Sequence, residues 1–133
     1  MIGLDTNVVL RLVLNDDPQQ RLRAAKVIEQ ARELAVTVNI TLAVLLEMEW
    51  VLRSVAKMAK PQVLSVFDLL LESHDIEIDN EKVLEQALHI YANAACDFAE
   101  CLFLAQYQRM GCQTMLTFDT NAACIAGVQL VAD

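Results

Sequence analysis

Residues 1–14 read MIGLDTNVVLRLVL, and the break at Asp5 decides how the chain is understood. MIGLD is a short apolar run closed by an acid, which suits a buried strand. TNVVLRLVL carries on as a helix. A strand that passes straight into a helix is the opening half of a parallel crossover unit. Working outward, NDDPQQRLRAAKVIEQARE starts a second helix, with Asp17 as N-cap and Pro18 at the first helical position. AVTVN reads as strand two. TLAVLLEMEWVLRSVAKM follows as a helix apolar on nearly every face, hence buried or at an interface. KPQVLSVFDLLLESH begins a helix just after Pro61, DIEI is strand three, and NEKVLEQALHIYANAA is a helix capped by Asn80. DFAECLFLAQYQRMG is a helix ended by Gly111, CQTMLTF strand four, DTNAACIA a turn with a short helix, and VQLVA strand five. Strands separated by more than ten residues of helix pair in parallel, so the class is α/β.

The 133 residues fit one domain, 1–133. Cys96, Cys101, Cys112 and Cys124 form no C-x-x-C pair, and the chain opens without a charged-then-apolar leader, which predicts reduced, mostly buried thiols in a cytoplasmic protein. No apolar stretch approaches a membrane span, so no membrane role is expected. A hydrophobic fraction of 56% is rich for a small monomer and implies an oligomer or an obligate partner. The net charge of −8 excludes broad electrostatic attraction to nucleic acid. Its distribution is uneven: residues 1–60 hold eight bases and seven acids, residues 61–133 two bases and eleven acids. One half can therefore still meet a polyanion, through a set including Arg11, Arg21, Arg23, Lys26, Arg53, Lys57 and Lys60, although solvated helix faces explain those residues too.

Asp-Thr-Asn closes an apolar run twice, at Asp5-Thr6-Asn7 and again at Asp119-Thr120-Asn121. Ligands of open parallel sheets bind beyond the carboxyl ends of the strands, where the strand order reverses. If strands one and four are neighbours there, both aspartates enter one crevice. Glu47 lies among apolar neighbours two turns into its helix and needs a metal, a partner such as Arg53, or solvent. Asp97 and Glu100, three apart, share a helix face. Several carboxylates in one crevice require a cation, and hard oxygen ligands suit Mg²⁺ or Mn²⁺, the ions of phosphodiester hydrolysis. Each acid also has a structural explanation: Asp5 and Asp119 as caps, Asp97 with Glu100 as a capping box. His74 and His89 read as surface residues, and Met48, Trp50 and Leu52 as core or interface.

IGLDTNVVLRLVLNDDP, LLEMEWVLRS, DFAECL and LTFDTN, in that order, resemble the PIN-domain ribonucleases, and more narrowly the toxin component of VapBC-type toxin–antitoxin pairs. The resemblance covers nearly the whole chain. It implies a three-layer α/β/α sandwich with a parallel sheet of about five strands ordered 3-2-1-4-5, a homodimer, a Mg²⁺- or Mn²⁺-dependent site, RNA as substrate and a cognate antitoxin as inhibitor. It places the site acids on Asp5, Glu47 and Asp119, with Thr6, Asn7, Thr117 and Asn121 in support. The third acid departs from the family pattern: Glu100 stands where an Asp is usual, and Asp97 matches a frequent additional acid. Asp5, Asp97, Glu100 and Asp119 are the metal ligands this implies. A phosphatase of the haloacid dehalogenase kind needs a second Asp where Asn7 stands, and a response-regulator receiver needs adjacent acids and a lysine that are absent. The alternative of another class is a catalytically silent PIN fold acting as a binding module.

Overall fold

A computed structural model describes residues 1–133. Its elements run β1 (Ile2–Gly3), α1 (Thr6–Val13), α2 (Pro18–Glu33), β2 (Val38–Ile40), α3 (Leu42–Ser54), α4 (Lys60–Glu72), β3 (Ile76–Ile78), α5 (Glu81–Asn93), α6 (Phe98–Met110), β4 (Met115–Thr117), a 3-10 turn (Ala122–Cys124) and β5 (Val128–Leu130). They fall into two units, Met1–Glu81 and Lys82–Asp133. Every strand pairing is parallel, as the helical spacing between the strands requires. The five strands form two sheets, one with β1 and β3 on either side of β2 and the other of β4 with β5, where a single sheet ordered 3-2-1-4-5 was expected.

In the first unit β2 is the central strand. Ile2 and Gly3 face Val38 and Asn39, and Val38, Asn39 and Ile40 face Ile76, Glu77 and Ile78. Its edges are both paired, and Val38 and Ile40, which share one face, are fully buried, whereas Asn39 on the other face is half-buried. The crossovers pack α1 against α2 and α3, and α3 against α4. Leu45, Met48 and Leu52 share one face of α3 and are wholly removed from water. Truncating any of them to alanine would cost about 2–5 kcal/mol.

Helix starts follow the capping chemistry in most places. Asp17 accepts from the Gln20 amide at 3.1 Å with Pro18 beginning α2, and Thr41 Oγ1 accepts from the Val44 amide at 3.3 Å. Helix α4 begins at Lys60, one residue before Pro61 rather than after it: the Gln62 side chain accepts from the Ala59 amide at 3.1 Å, and a proline in the first turn forfeits no intrahelical bond. The expected Asn80 cap is corrected. Asn80 lies in the left-handed region at φ 54°, and its amide donates to Asp79 Oδ1 at 3.3 Å instead of accepting from the first turn of α5.

In the second unit Leu104, Ala122, Ile125 and Val128 form the buried cluster, with Ile90, Ala94, Cys96 and Met115 packed around it. Tyr91 and Phe98 meet edge to face with ring centroids 5.4 Å apart. Gly111 ends α6 as expected. At φ 95° it returns the Gly111 amide to the Gln108 carbonyl and the Cys112 amide to the Tyr107 carbonyl, a closure that favours glycine.

The cysteines correct another expectation. All four are thiols rather than disulfides, but only Cys101 is buried; Cys96 is half-buried, and Cys112 and Cys124 are exposed. Cys112 follows the glycine that ends α6, and Cys124 closes a three-residue turn, so neither belongs to a helix face that packs.

Candidate active site

Asp5 caps α1, its Oδ1 accepting from the Thr6 amide at 2.5 Å while its carbonyl receives the Val8 and Val9 amides. Its carboxylate is exposed, Thr6 is buried and Asn7 is exposed. The cap and the site readings of Asp5 are therefore compatible, because one backbone bond leaves the second carboxylate oxygen open. Glu47, also in the first unit, is exposed on α3. It reaches solvent, and the arginine partner considered for it belongs to another acid. Glu49 is 1% exposed and binds Arg53 at 3.0 Å and 3.5 Å. The signal was present in the spacing: 49 and 53 are four apart and meet on one face, whereas 47 and 53 do not.

Between α1 and α2 lies a cavity of about 350 Å³ lined by Asn7, Arg11, Gln20 and Arg23. Arg11 is engaged there, with Asp16 at 2.9 Å and Gln20 at 2.5 Å, and Arg21 donates to Asn15 at 3.0 Å. Arg23 is exposed at the same cavity.

In the second unit Glu100 has an acid on either side, Asp97 on its own helix and Asp119 beyond β4. Asp97 and Glu100 form the capping box of α6, with the Asp97 amide donating to Glu100 Oε2 at 3.3 Å. Asp119, two residues beyond the end of β4, has its carboxyl group beside that of Glu100. Two carboxyl groups so placed can share a hydrogen bond only when one holds a proton. Burial and such a bond push the Glu100 carboxyl above its usual range, the negative charges of Asp119 and Asp97 push the same way, and the Asp97 amide opposes them. Asp119 is itself fixed twice: Thr117 Oγ1 accepts from its amide at 3.0 Å, and its Oδ1 accepts from the Asn121 amide at 2.8 Å. Thr117 thus accepts from the Asp119 backbone, and the Asn121 backbone donates to the Asp119 carboxylate. His74 and His89 are exposed and lie outside the cluster.

The donor chemistry of Asp97, Glu100 and Asp119 fits a hard divalent cation, since it offers only oxygens and one proton that a cation can replace. No three Asp, Glu, His or Cys side chains stand close enough to form a ready-made metal group.

The family model of the PIN domain matches residues 2–128. The chain belongs to the PIN domain family. No curated protein sequence matches it. Among solved structures this PIN domain is similar to the Mycobacterium tuberculosis toxin VapC20, described as a sarcin–ricin loop cleaving toxin. The two are 17% identical, over 96% of this chain and 98% of that one, with a TM-score of 0.42. No helix of this PIN domain is long and apolar enough to cross a membrane.

Proposed function

We propose that the chain is a single-domain, Mg²⁺- or Mn²⁺-dependent endoribonuclease that acts in the cytoplasm as a toxin and is restrained by a cognate antitoxin. The observation that carries this reading is the carboxyl pair Glu100–Asp119, flanked by Asp97, in a chain of the PIN family. The acids assigned to the reaction are Asp5, Glu47, Asp97, Glu100 and Asp119, with Asp5, Asp97, Glu100 and Asp119 as metal ligands. A bound divalent ion supplies charge for the scissile phosphate and a water of lowered pKa. The chain's own residues do the positioning. The Asn121 amide holds the Asp119 carboxylate, Thr117 holds the Asp119 backbone, and the capping box of α6 holds Glu100. Glu100, whose carboxyl is raised above its usual range, would hold a divalent ion only in its ionised form, so binding there would be pH-dependent.

Exposed apolar side chains support the dimer and the antitoxin. Trp50 on α3 is 55% exposed, and Phe103, Tyr107 and Met110 form a stripe along α6 at spacings of four and three. The cavity bearing Arg11 and Arg23 offers basic groups to an RNA phosphate or to an acidic segment of the antitoxin.

The test is single-turnover cleavage of a panel of structured RNAs with Mn²⁺ by the wild type, Asp5→Asn and Asp119→Asn. Both variants should lose metal-dependent cleavage while melting in chelator at least as high as the wild type, since each removes one charge from an acidic site and asparagine keeps the capping oxygen. Wild-type activity in either variant would remove that residue from the site. A wild type that binds RNA and leaves every member of the panel intact would instead favour the catalytically silent binding module.

A further inference from the structure

The thiols of Cys96 and Cys101 stand 3.1 Å apart at the start of α6. Asp97 is the N-cap, so Cys96 occupies the position before the cap and Cys101 the fourth helical position. Those two positions ordinarily carry a hydrophobic staple, an apolar pair that fixes the angle at which the chain enters the helix. Two cysteines fill it here, and cysteine behaves as a small apolar residue. That alone accounts for their contact. A second observation goes further. Cys96 is half-buried and lines a cavity of about 350 Å³ with Asn93, Asn121 and Ile125, whereas Cys101 behind it is fully buried. One sulfur is reachable by a small molecule. The other is reachable only by the first.

We propose that Cys96 and Cys101 are a dithiol modification site, converted reversibly to an intramolecular disulfide by low-molecular-weight disulfides. The Cys96 sulfur attacks one sulfur of the disulfide RSSR, forming Cys96–S–S–R and releasing one RSH. The Cys101 sulfur then attacks Cys96 Sγ, forming the Cys96–Cys101 bond and releasing a second RSH. The protein loses two electrons and two protons, and RSSR gains them as two thiols. The sulfurs need approach by only about 1 Å to reach bonding distance. Cys112 and Cys124 are exposed and have no sulfur beside them, so exchange there stops at the mixed disulfide. This assignment stands whether or not the chain cleaves RNA.

The test uses the full reduced chain and bis(2-hydroxyethyl) disulfide. No lysine or arginine lies between Lys82 and Arg109, so trypsin releases Cys96 and Cys101 in one peptide, 83–109, free of the other two cysteines. After acid quenching that peptide should have lost two hydrogens and resist alkylation. The linked form should exceed the Cys96 mixed disulfide by at least about tenfold, as a neighbouring nucleophile does against a dilute one. Dithiothreitol should restore both thiols. Cys101→Ala should arrest Cys96 as the mixed disulfide. The milder Cys96→Ser, at the half-buried position, should leave Cys101 alkylatable only after unfolding. Wild-type protein whose peptide 83–109 keeps two thiols while Cys112 and Cys124 react would overturn the proposal. So would a Cys96 mixed disulfide that persists beside a reduced Cys101.

Discussion

Replacing Arg53 by methionine tests how the first unit tolerates an acid in its core. The carboxylate of Glu49 keeps only 2% of its side-chain surface in water, and the guanidinium of Arg53 keeps 41%. Removing one partner of a fully buried pair costs about 3–5 kcal/mol, because a charge is left where water cannot reach it, whereas exposed pairs contribute about 1 kcal/mol or less. With one end buried and the other half in solvent, Arg53→Met should cost about 2 kcal/mol, or roughly 7 °C in melting temperature for a chain of this length. The reciprocal change should be milder. Glu49→Met leaves a guanidinium that can extend into water along its own aliphatic stem, and about 1 kcal/mol is expected. Combining the two should recover at least half of the loss seen in Arg53→Met, since two apolar side chains of similar volume replace the pair. Urea unfolding followed by circular dichroism measures all three variants against the wild type. Were Glu49→Met the costlier single change, or the double variant no more stable than Arg53→Met, the account of a carboxylate held in the core by this arginine would be wrong.

Isosteric changes separate the two acids of the α6 capping box. Glu100→Gln should weaken Mn²⁺ affinity and RNA cleavage by at least about tenfold with a normal melt, and Asp97→Asn by markedly less, because asparagine caps a helix well; the reverse ordering would make Asp97 the ligand. The raised Glu100 carboxyl also predicts a pH dependence in chelator. The folded chain holds that proton at pH values where the unfolded chain has released it, so stability falls as pH rises from the ordinary glutamate range through the folded value. Melts of the wild type should therefore decline relative to Glu100→Gln across that window, and parallel curves would show that Glu100 and Asp119 share no proton.

Local signals carried most of the fold into the sequence. Asp17-Pro18 and Gly111 mark helix ends by the steric and hydrogen-bonding demands of single positions, and those demands survive any tertiary context. Asn80 misled because an asparagine before a helix serves as a cap only with extended backbone, and its left-handed φ is invisible in the letters. Asp5, Asp97, Glu100 and Asp119 were legible as acids at strand ends and in a D-x-x-E box. The contact of Glu100 with Asp119 was not, since it joins residues nineteen apart through packing. Glu49 was overlooked for a related reason. Its neighbour Glu47 sits in the same apolar run, and only the direction each side chain takes from α3 sends one into the core and the other into solvent. The cysteines failed as buried thiols because composition reports how often a residue type is interior, while the ends of α6 and of the 3-10 turn decided three of the four cases.

The two hydrogen bonds that hold Asp119 have an entropic meaning. A carboxylate on a free rotor must be immobilised when a ligand arrives, and each such side chain typically sets about 0.5–1.5 kcal/mol against binding. Asp119, its backbone fixed on Thr117 and its Oδ1 on the Asn121 amide, has one bond at the carboxylate that already limits that freedom. Glu47, longer and exposed on α3, still has its rotamers to lose. A ligand of Asp119 would therefore meet an acid pre-set by its own turn, whereas a ligand of Glu47 would meet a side chain ordered only in the bound state.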